Sequence, residues 1–226
     1  MLSGSSYFEQ FNVLWFFGLS NSTIMLFFVL VTVLLLLKGI TLIPKRWQSF
    51  FELVYSHFYR VIKENLSIGG LKYFPFVFSL FFFLVFLNIL GLCPYVFTPT
   101  THIIVTLGFS FSIVIGVIFS GLWEFKKDFI SLLMPSGAPL VLAPLLVLIE
   151  TVSYVSRAIS LGVRLAANLS AGHLLFAILA GFGMVFKAAI LIMVFITLLE
   201  IAVAIIQAYV FCLLTIIYLA DTLSLH

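Results

Sequence analysis

Between Glu150 and Asp221 a largely apolar stretch of chain carries Glu150, Arg157, Arg164, Asn168, His173, Glu200, Gln207 and Asp221. Glu150, Arg157, Arg164 and Asn168 follow one another at intervals of 7, 7 and 4 residues. At about 100° per residue this keeps all four on one narrow helical stripe, which Ser153, Ser160 and Ala171 complete. The chemistry open to such a set is proton transfer and charge separation. Carboxyls and an imidazole can take up and release protons, whereas a guanidinium holds its charge. Charges at bilayer depth cost about 2.5 kcal/mol or more each, which makes them functional candidates.

Arg164 stands out within the stripe. It lies near the middle of its helix, and positions 160, 161, 167 and 168 hold no acid to neutralise it. Arg157 has Glu150 two turns away and suits an internal strut or a snorkelling cation. Around the stripe the residues are small: Ala158, Gly162, Ala166, Ala167, Ser170, Ala171 and Gly172. Small residues allow a second helix to come close, and a helix bearing a carboxylate would bring the counter-charge that Arg164 lacks. A partner subunit is implied.

On the following helix Glu200 and Gln207 are seven apart, with Tyr218 on nearly the same face and Asp221 near the end. Glu200 sits among apolar residues 196–205, a setting suited to passing protons rather than holding fixed charge. His173 lies nine residues beyond Arg164 and points away from the arginine face. By depth, His173 and Glu200 fall in one half of the hairpin and Glu150 and Asp221 at its other end, with Arg164 between. Glu150 and Asp221 fit either an aqueous path or interfacial acids among lipid headgroups.

These residues must be positioned by membrane helices. Of the 226 residues 64% are hydrophobic and 8% charged, with a mean hydropathy of +1.31. A soluble domain carries about 25% charged residues, so this composition predicts an all-α polytopic membrane protein of one domain. The first span is expected over residues 23–43, and the mixed pattern of 48–66 reads as an interfacial amphipathic helix. Residues 73–123 contain no Asp, Glu, Lys or Arg and divide at Thr98-Pro99-Thr100 into spans over 73–97 and 103–123. Residues 129–149, broken by Pro135, Gly137, Pro139 and Pro144, are expected to approach the membrane as a bent or re-entrant segment. Two long helices, 140–179 and 184–222, are expected to meet at a hinge over Ala180-Gly181-Phe182-Gly183. Their length exceeds a bilayer about 30 Å thick and implies steep tilt.

That arrangement gives five crossings. Lys38, Lys45, Arg46, Arg60, Lys63, Lys72, Lys126 and Lys127 lie beside one set of connections, against Lys187 on the other. The positive side is read as inside, with the N-terminus outside and the C-terminus inside. The first ten residues hold no Lys or Arg and do not resemble a cleavable signal.

Several classes are disfavoured. The net charge of +3 comes with no basic stripe for nucleic acid. Cys93 and Cys212 are isolated in apolar runs, which predicts neither a metal centre nor a disulfide framework. No cofactor is expected. No P-loop glycine run occurs, so nucleotide chemistry would belong elsewhere.

The run ETVSYVSRAISLGVRLAANLSAGHLL from Glu150, then Leu199-Glu200 and Ile205-Ile206-Gln207-Ala208-Tyr209-Val210-Phe211, resembles subunit a (subunit 6) of F-type ATP synthases. The resemblance implies a stator that is not itself an enzyme, set beside a ring of small proteolipids, each with a mid-membrane carboxylate. Other membrane and peripheral-stalk subunits would be further partners. Arg164 matches the family's essential arginine, Asn168 its motif asparagine and Gln207 the glutamine opposite. His173 and Glu200 resemble an outer access pair of the mitochondrial type, and Glu150 and Asp221 the acids of the matrix-side exit. A mitochondrial inner-membrane location follows, with the N-terminus in the intermembrane space and the C-terminus in the matrix. The alternatives are a self-contained ion-coupled transporter, which often shows repeated halves, and a quinone- or haem-associated respiratory subunit.

Overall fold

The computed structural model describes residues 12–16, 19–37, 46–66, 68–92, 97–125, 143–183 and 188–223. Two two-residue strands, β1 (Trp15–Phe16) and β2 (Leu19–Ser20), pair antiparallel, with Phe16 opposite Leu19. Among the described residues six α-helices follow: α1 (Asn21–Leu37), α2 (Arg46–Asn65), α3 (Phe74–Gly91), α4 (Ile103–Phe125), α5 (Ala143–Gly183) and α6 (Ala188–Leu223). This is an all-α polytopic membrane protein. In hydrocarbon only a helix satisfies its own backbone polar groups, which overrides the weak helix preference of the Phe-rich α3.

Segments within α3, α4, α5 and α6 are long and apolar enough to cross a bilayer, while α1 is apolar but shorter. Ser20 caps α1, its Oγ accepting from the Thr23 backbone N–H at 3.4 Å. The amphipathic α2 buries Phe58 and Ile62, four apart on one face, and Leu66 just past its end is buried with them. Phe58 packs on Phe81 of α3 with ring centroids 4.8 Å apart, and His57 shares a 3.1 Å hydrogen bond with the Tyr209 hydroxyl of α6.

The second span ends at Gly91, short of the expected residue 97, and a 3₁₀ turn at Pro99–Thr101 leads into α4. Proline favours a turn there, and Thr101 Oγ1 donates to the Thr98 carbonyl at 2.7 Å. The Ala180–Gly183 hinge expected from sequence is helical: α5 runs through Gly181 to Gly183. Two glycines cost about 1 kcal/mol each in a helix, too little by themselves to break a 41-residue helix. At 1.5 Å per residue α5 is about 60 Å long and α6 about 54 Å, so both must incline or protrude. Residues 143–149 of the expected approach segment form the first turns of α5. Its residues 129–142 lie outside the described residues, as do Lys38, Lys45, Cys93, Lys126, Lys127 and Lys187.

The core gathers α2 through α6 around Phe58, Val77, Leu84, Leu161, Leu165 and Phe211, with the free Cys212 buried beside them. Two contacts draw α5 against α4. Ser110 Oγ donates to the Ala158 carbonyl, and Gly162 lies so close that a Cβ there would meet Leu107 Cα and the Thr106 carbonyl oxygen at 3.0 Å. The buried side of α5 thus carries Ala158, Leu161, Gly162, Leu165 and Leu169, which turns Ser160, Arg164, Ala167, Asn168 and Ala171 outward.

Candidate functional site

The polar side chains of α5 and α6 separate into three groups. Near one end of the hairpin, Arg157 Nη1 of α5 lies 3.3 Å from Asp221 Oδ2 of α6. The guanidinium also faces the Tyr154 ring at 5.5 Å and the Tyr218 ring at 5.4 Å. Arg157 thus bridges α5 and α6 through Asp221. The acid that meets it is Asp221 across the hairpin, not Glu150 two turns along the same helix. A contact across helices can close to hydrogen-bond length, whereas two turns separate Glu150 from Arg157 by about 10 Å along the axis. Glu150 is half-buried beside Tyr154.

Two turns further along α5, Arg164 is exposed. Its Nη2 reaches Ser160 Oγ at 3.5 Å, and among the described residues no carboxylate pairs with it. It does lie near enough to act electrostatically on the Tyr218 hydroxyl of α6. Nothing in the packing of α5 draws this guanidinium inward, because the opposite face of the helix is the one pressed against α4.

One turn beyond, Asn168 Nδ2 donates to Gln207 Oε1 of α6 at 3.3 Å. This pair stands at the edge of a cavity of about 410 Å³ between α3, α5 and α6. Asn88, Asn168, Glu200 and Gln207 are its polar lining, set among Leu165, Leu169, Leu199 and other apolar residues. Among the described residues three buried polar atoms here have no hydrogen-bond partner: Asn88 Oδ1, Glu200 Oε1 and Gln207 Nε2. Orphan polar atoms at this depth are costly unless water or a proton carrier satisfies them. The Glu200 carboxyl rests on Gly172, where a Cβ would lie 2.8 Å from Oε1 and 2.9 Å from Cδ. The glycine makes room for the acid.

His173 occupies another side of α5. It is half-buried and hydrogen-bonded to the Gly91 backbone at the end of α3. Ser170, one turn earlier, donates to the Thr101 carbonyl at 3.1 Å. Thus Asn168, Gln207 and Glu200 line one cavity, whereas His173 approaches the α3 end beside it. Asn88 is the residue that sequence reading missed. Its signal was present: it is the single asparagine of the charge-free block 73–123. Tyr154, half of the aromatic enclosure of Arg157, was passed over as well.

A family profile described as ATP synthase A chain matches residues 19–220. ATP synthase subunit a of Metridium senile is 65% identical over 231 residues, covering 99% of this chain and all of that protein. ATP synthase subunit a of Mycosarcoma maydis is 43% identical, over 95% of this chain and 91% of the relative. The corresponding protein of Marchantia polymorpha is 42% identical, over 93% and 91%.

Proposed function

Since the chain belongs to the ATP synthase A chain family, we propose that it is the proton-conducting stator of the ATP synthase membrane sector. In this reading it sits in the mitochondrial inner membrane, with its N-terminus toward the intermembrane space and its C-terminus toward the matrix. Its partners are the other membrane subunits and a ring of small proteolipids whose mid-membrane carboxylates pass along the exposed face of α5. The observation that carries the reading is Arg164, a permanent cation at bilayer depth, turned outward and unmatched by any described carboxylate.

The mechanism follows from charge. Protons from the outer side reach the cavity of Asn88, Glu200, Asn168 and Gln207, with His173 at its approach. There they neutralise a ring carboxylate, which can then enter lipid without the cost of a bare charge. After a near-complete turn the carboxylate meets the inner path near Glu150, releases its proton and is drawn as an anion toward Arg164. The fixed cation keeps the two paths apart, because a proton crossing directly would have to pass a guanidinium that cannot accept it. Each charge moved is worth about 2.3 kcal/mol per 100 mV, so several are needed for one ATP. ATP chemistry belongs to other subunits.

The transporter alternative requires an internal counter-charge or substrate group facing Arg164, and the described residues supply neither. A cysteine introduced at Asn168, in an otherwise cysteine-free chain within the assembled complex, tests the proposal. Crosslinking to a small proteolipid at its carboxylate-bearing helix is expected. Capture of the cysteine by another helix of this chain alone would remove the ring from the proposed site.

A further inference from the structure

Asn88 has no role in the mechanism as the sequence motifs define it, yet it is fully buried on α3 and reaches the cavity from the side opposite the α5 stripe. Its Nδ2 donates to the Ala204 carbonyl of α6 at 3.2 Å. That bond orients the amide: Nδ2 faces α6, and Oδ1 is left as an acceptor. Gln207 is arranged in the opposite sense. Its Oε1 accepts from Asn168, which leaves Nε2 as a donor, and Gln207 is 6% exposed. The third orphan is Glu200 Oε1.

Two helices, α3 and α6, therefore present an oriented acceptor, an oriented donor and a carboxyl oxygen to one cavity, each atom without a hydrogen-bond partner among the described residues. A water molecule needs two to four polar partners to be held in an interior, and about 30 Å³ of room. The space of about 410 Å³ holds several. Purely structural polar groups would be expected to satisfy one another, as Asn168 and Gln207 partly do. Here Asn88 and Gln207 each make one bond that fixes the amide's orientation and leave the other atom, like Glu200 Oε1, without a partner among the described residues.

We propose that Asn88 is a positioning residue for proton entry: with Gln207 it holds an oriented file of water against Glu200, and that file delivers the proton into the cavity. The proton moves along the file by successive O–H transfers, each oxygen releasing one proton as it receives another, so no further reactant is needed. Asn88 never carries the proton. Its carbonyl accepts a hydrogen bond from one water and thereby sets the direction in which that water's oxygen presents its lone pairs to the next. The inference rests on the reading of this cavity as the outer proton path and adds to it the α3 contribution.

The test uses the assembled ATP synthase in inner-membrane vesicles and reads ATP-driven proton pumping together with passive proton flux through the membrane sector in H₂O and D₂O. Asn88→Leu removes the acceptor while keeping similar bulk. Flux is expected to fall roughly tenfold, the scale of one lost hydrogen bond at a polar centre, with a larger solvent isotope effect. Asn88→Asp restores an acceptor and is expected to recover most of the flux with an altered pH profile, which a purely structural asparagine would not produce. Immunodetection of the assembled complex separates loss of flux from loss of protein. If Asn88→Leu assembles and conducts with normal rate and isotope effect while Glu200→Gln conducts poorly, the water-positioning role is wrong and the cavity remains the path. If both variants conduct normally, the cavity itself is not the path. If neither Asn88 variant assembles, Asn88→Ser supplies a short acceptor, and normal flux and isotope effect with that hydroxyl displaced from the Oδ1 position also overturns the proposal.

Discussion

Arg157 and Arg164 stand on the same stripe of the same helix, seven residues apart, in opposite circumstances. The first has an acid at 3.3 Å and two tyrosine rings over its guanidinium. The second has a serine hydroxyl at 3.5 Å and an open face. Neither spacing nor residue type separates them. The difference is made by α6, whose Asp221 and Tyr218 meet α5 at the level of Arg157, whereas at the level of Arg164 and Asn168 it offers Gln207 and apolar residues. A cation matched within its own chain holds helices together. One left unmatched on a membrane helix is costly there unless a group from outside the chain matches it.

Replacing each arginine is the strongest way to break that contrast. Arg164→Ala is expected to abolish ATP-driven proton pumping, at least about a hundredfold down, as when a fixed charge aimed at a reacting anion is lost. The complex should still assemble, since Arg164 makes no buried contact. Arg157→Met should do the reverse: its ion pair is 34% and 47% exposed and worth about 0–1 kcal/mol, so pumping persists with a small loss of assembled complex. Pumping measured beside immunodetection of the complex distinguishes the two. Strong coupled pumping in Arg164→Ala would falsify the separator role.

The stripe itself was legible, because a 3.6-residue period and the rarity of charge in this chain leave few ways to place Glu150, Arg157, Arg164 and Asn168. The helical class and the amphipathic α2 were legible for the same reason. Sequence set Arg157 apart as the arginine suited to an internal partner but pointed to Glu150: Asp221 is 64 residues away along the chain from Arg157, and only the antiparallel register of α5 and α6 brings them together. It could not rank Asn88, whose importance lies in one amide bonded across to Ala204. At the expected Ala180–Gly183 hinge α5 stays helical to Gly183, since glycine weakens a helix by only about 1 kcal/mol and signals a break without compelling one.

The cavity sharpens the comparison at smaller effect. Glu200→Gln is expected to slow passive proton entry roughly tenfold or more, and His173→Ala to slow it less, both changing its pH dependence, because each removes a group that can relay a proton. Gly172→Ala offers a milder probe of the same acid. The new methyl would stand 2.8 Å from Glu200 Oε1, so the carboxyl must move, yet the atom displaced ends a flexible side chain and the fold should be little affected. Entry is expected to slow severalfold with normal assembly. Unchanged flux and pH dependence in all three would take this acid and this imidazole off the path.

The smallest effect separates the two inner acids. Sequence placed Glu150 and Asp221 together, as exit residues or as interfacial acids, but the structure engages Asp221 with Arg157 and leaves Glu150 half-buried beside Tyr154. Asp221 already spends one carboxylate oxygen on Arg157, whereas Glu150 has no ion pair among the described residues. Proton release should therefore depend more on Glu150. Glu150→Gln is expected to slow release on the inner side by a few fold, and Asp221→Asn to alter assembly slightly while leaving release close to normal. Release rates measured from the inner face of oriented vesicles decide this: equal slowing by both substitutions would mean that the Arg157 bond opens during turnover, and the division between strut and site would then not extend to the acids.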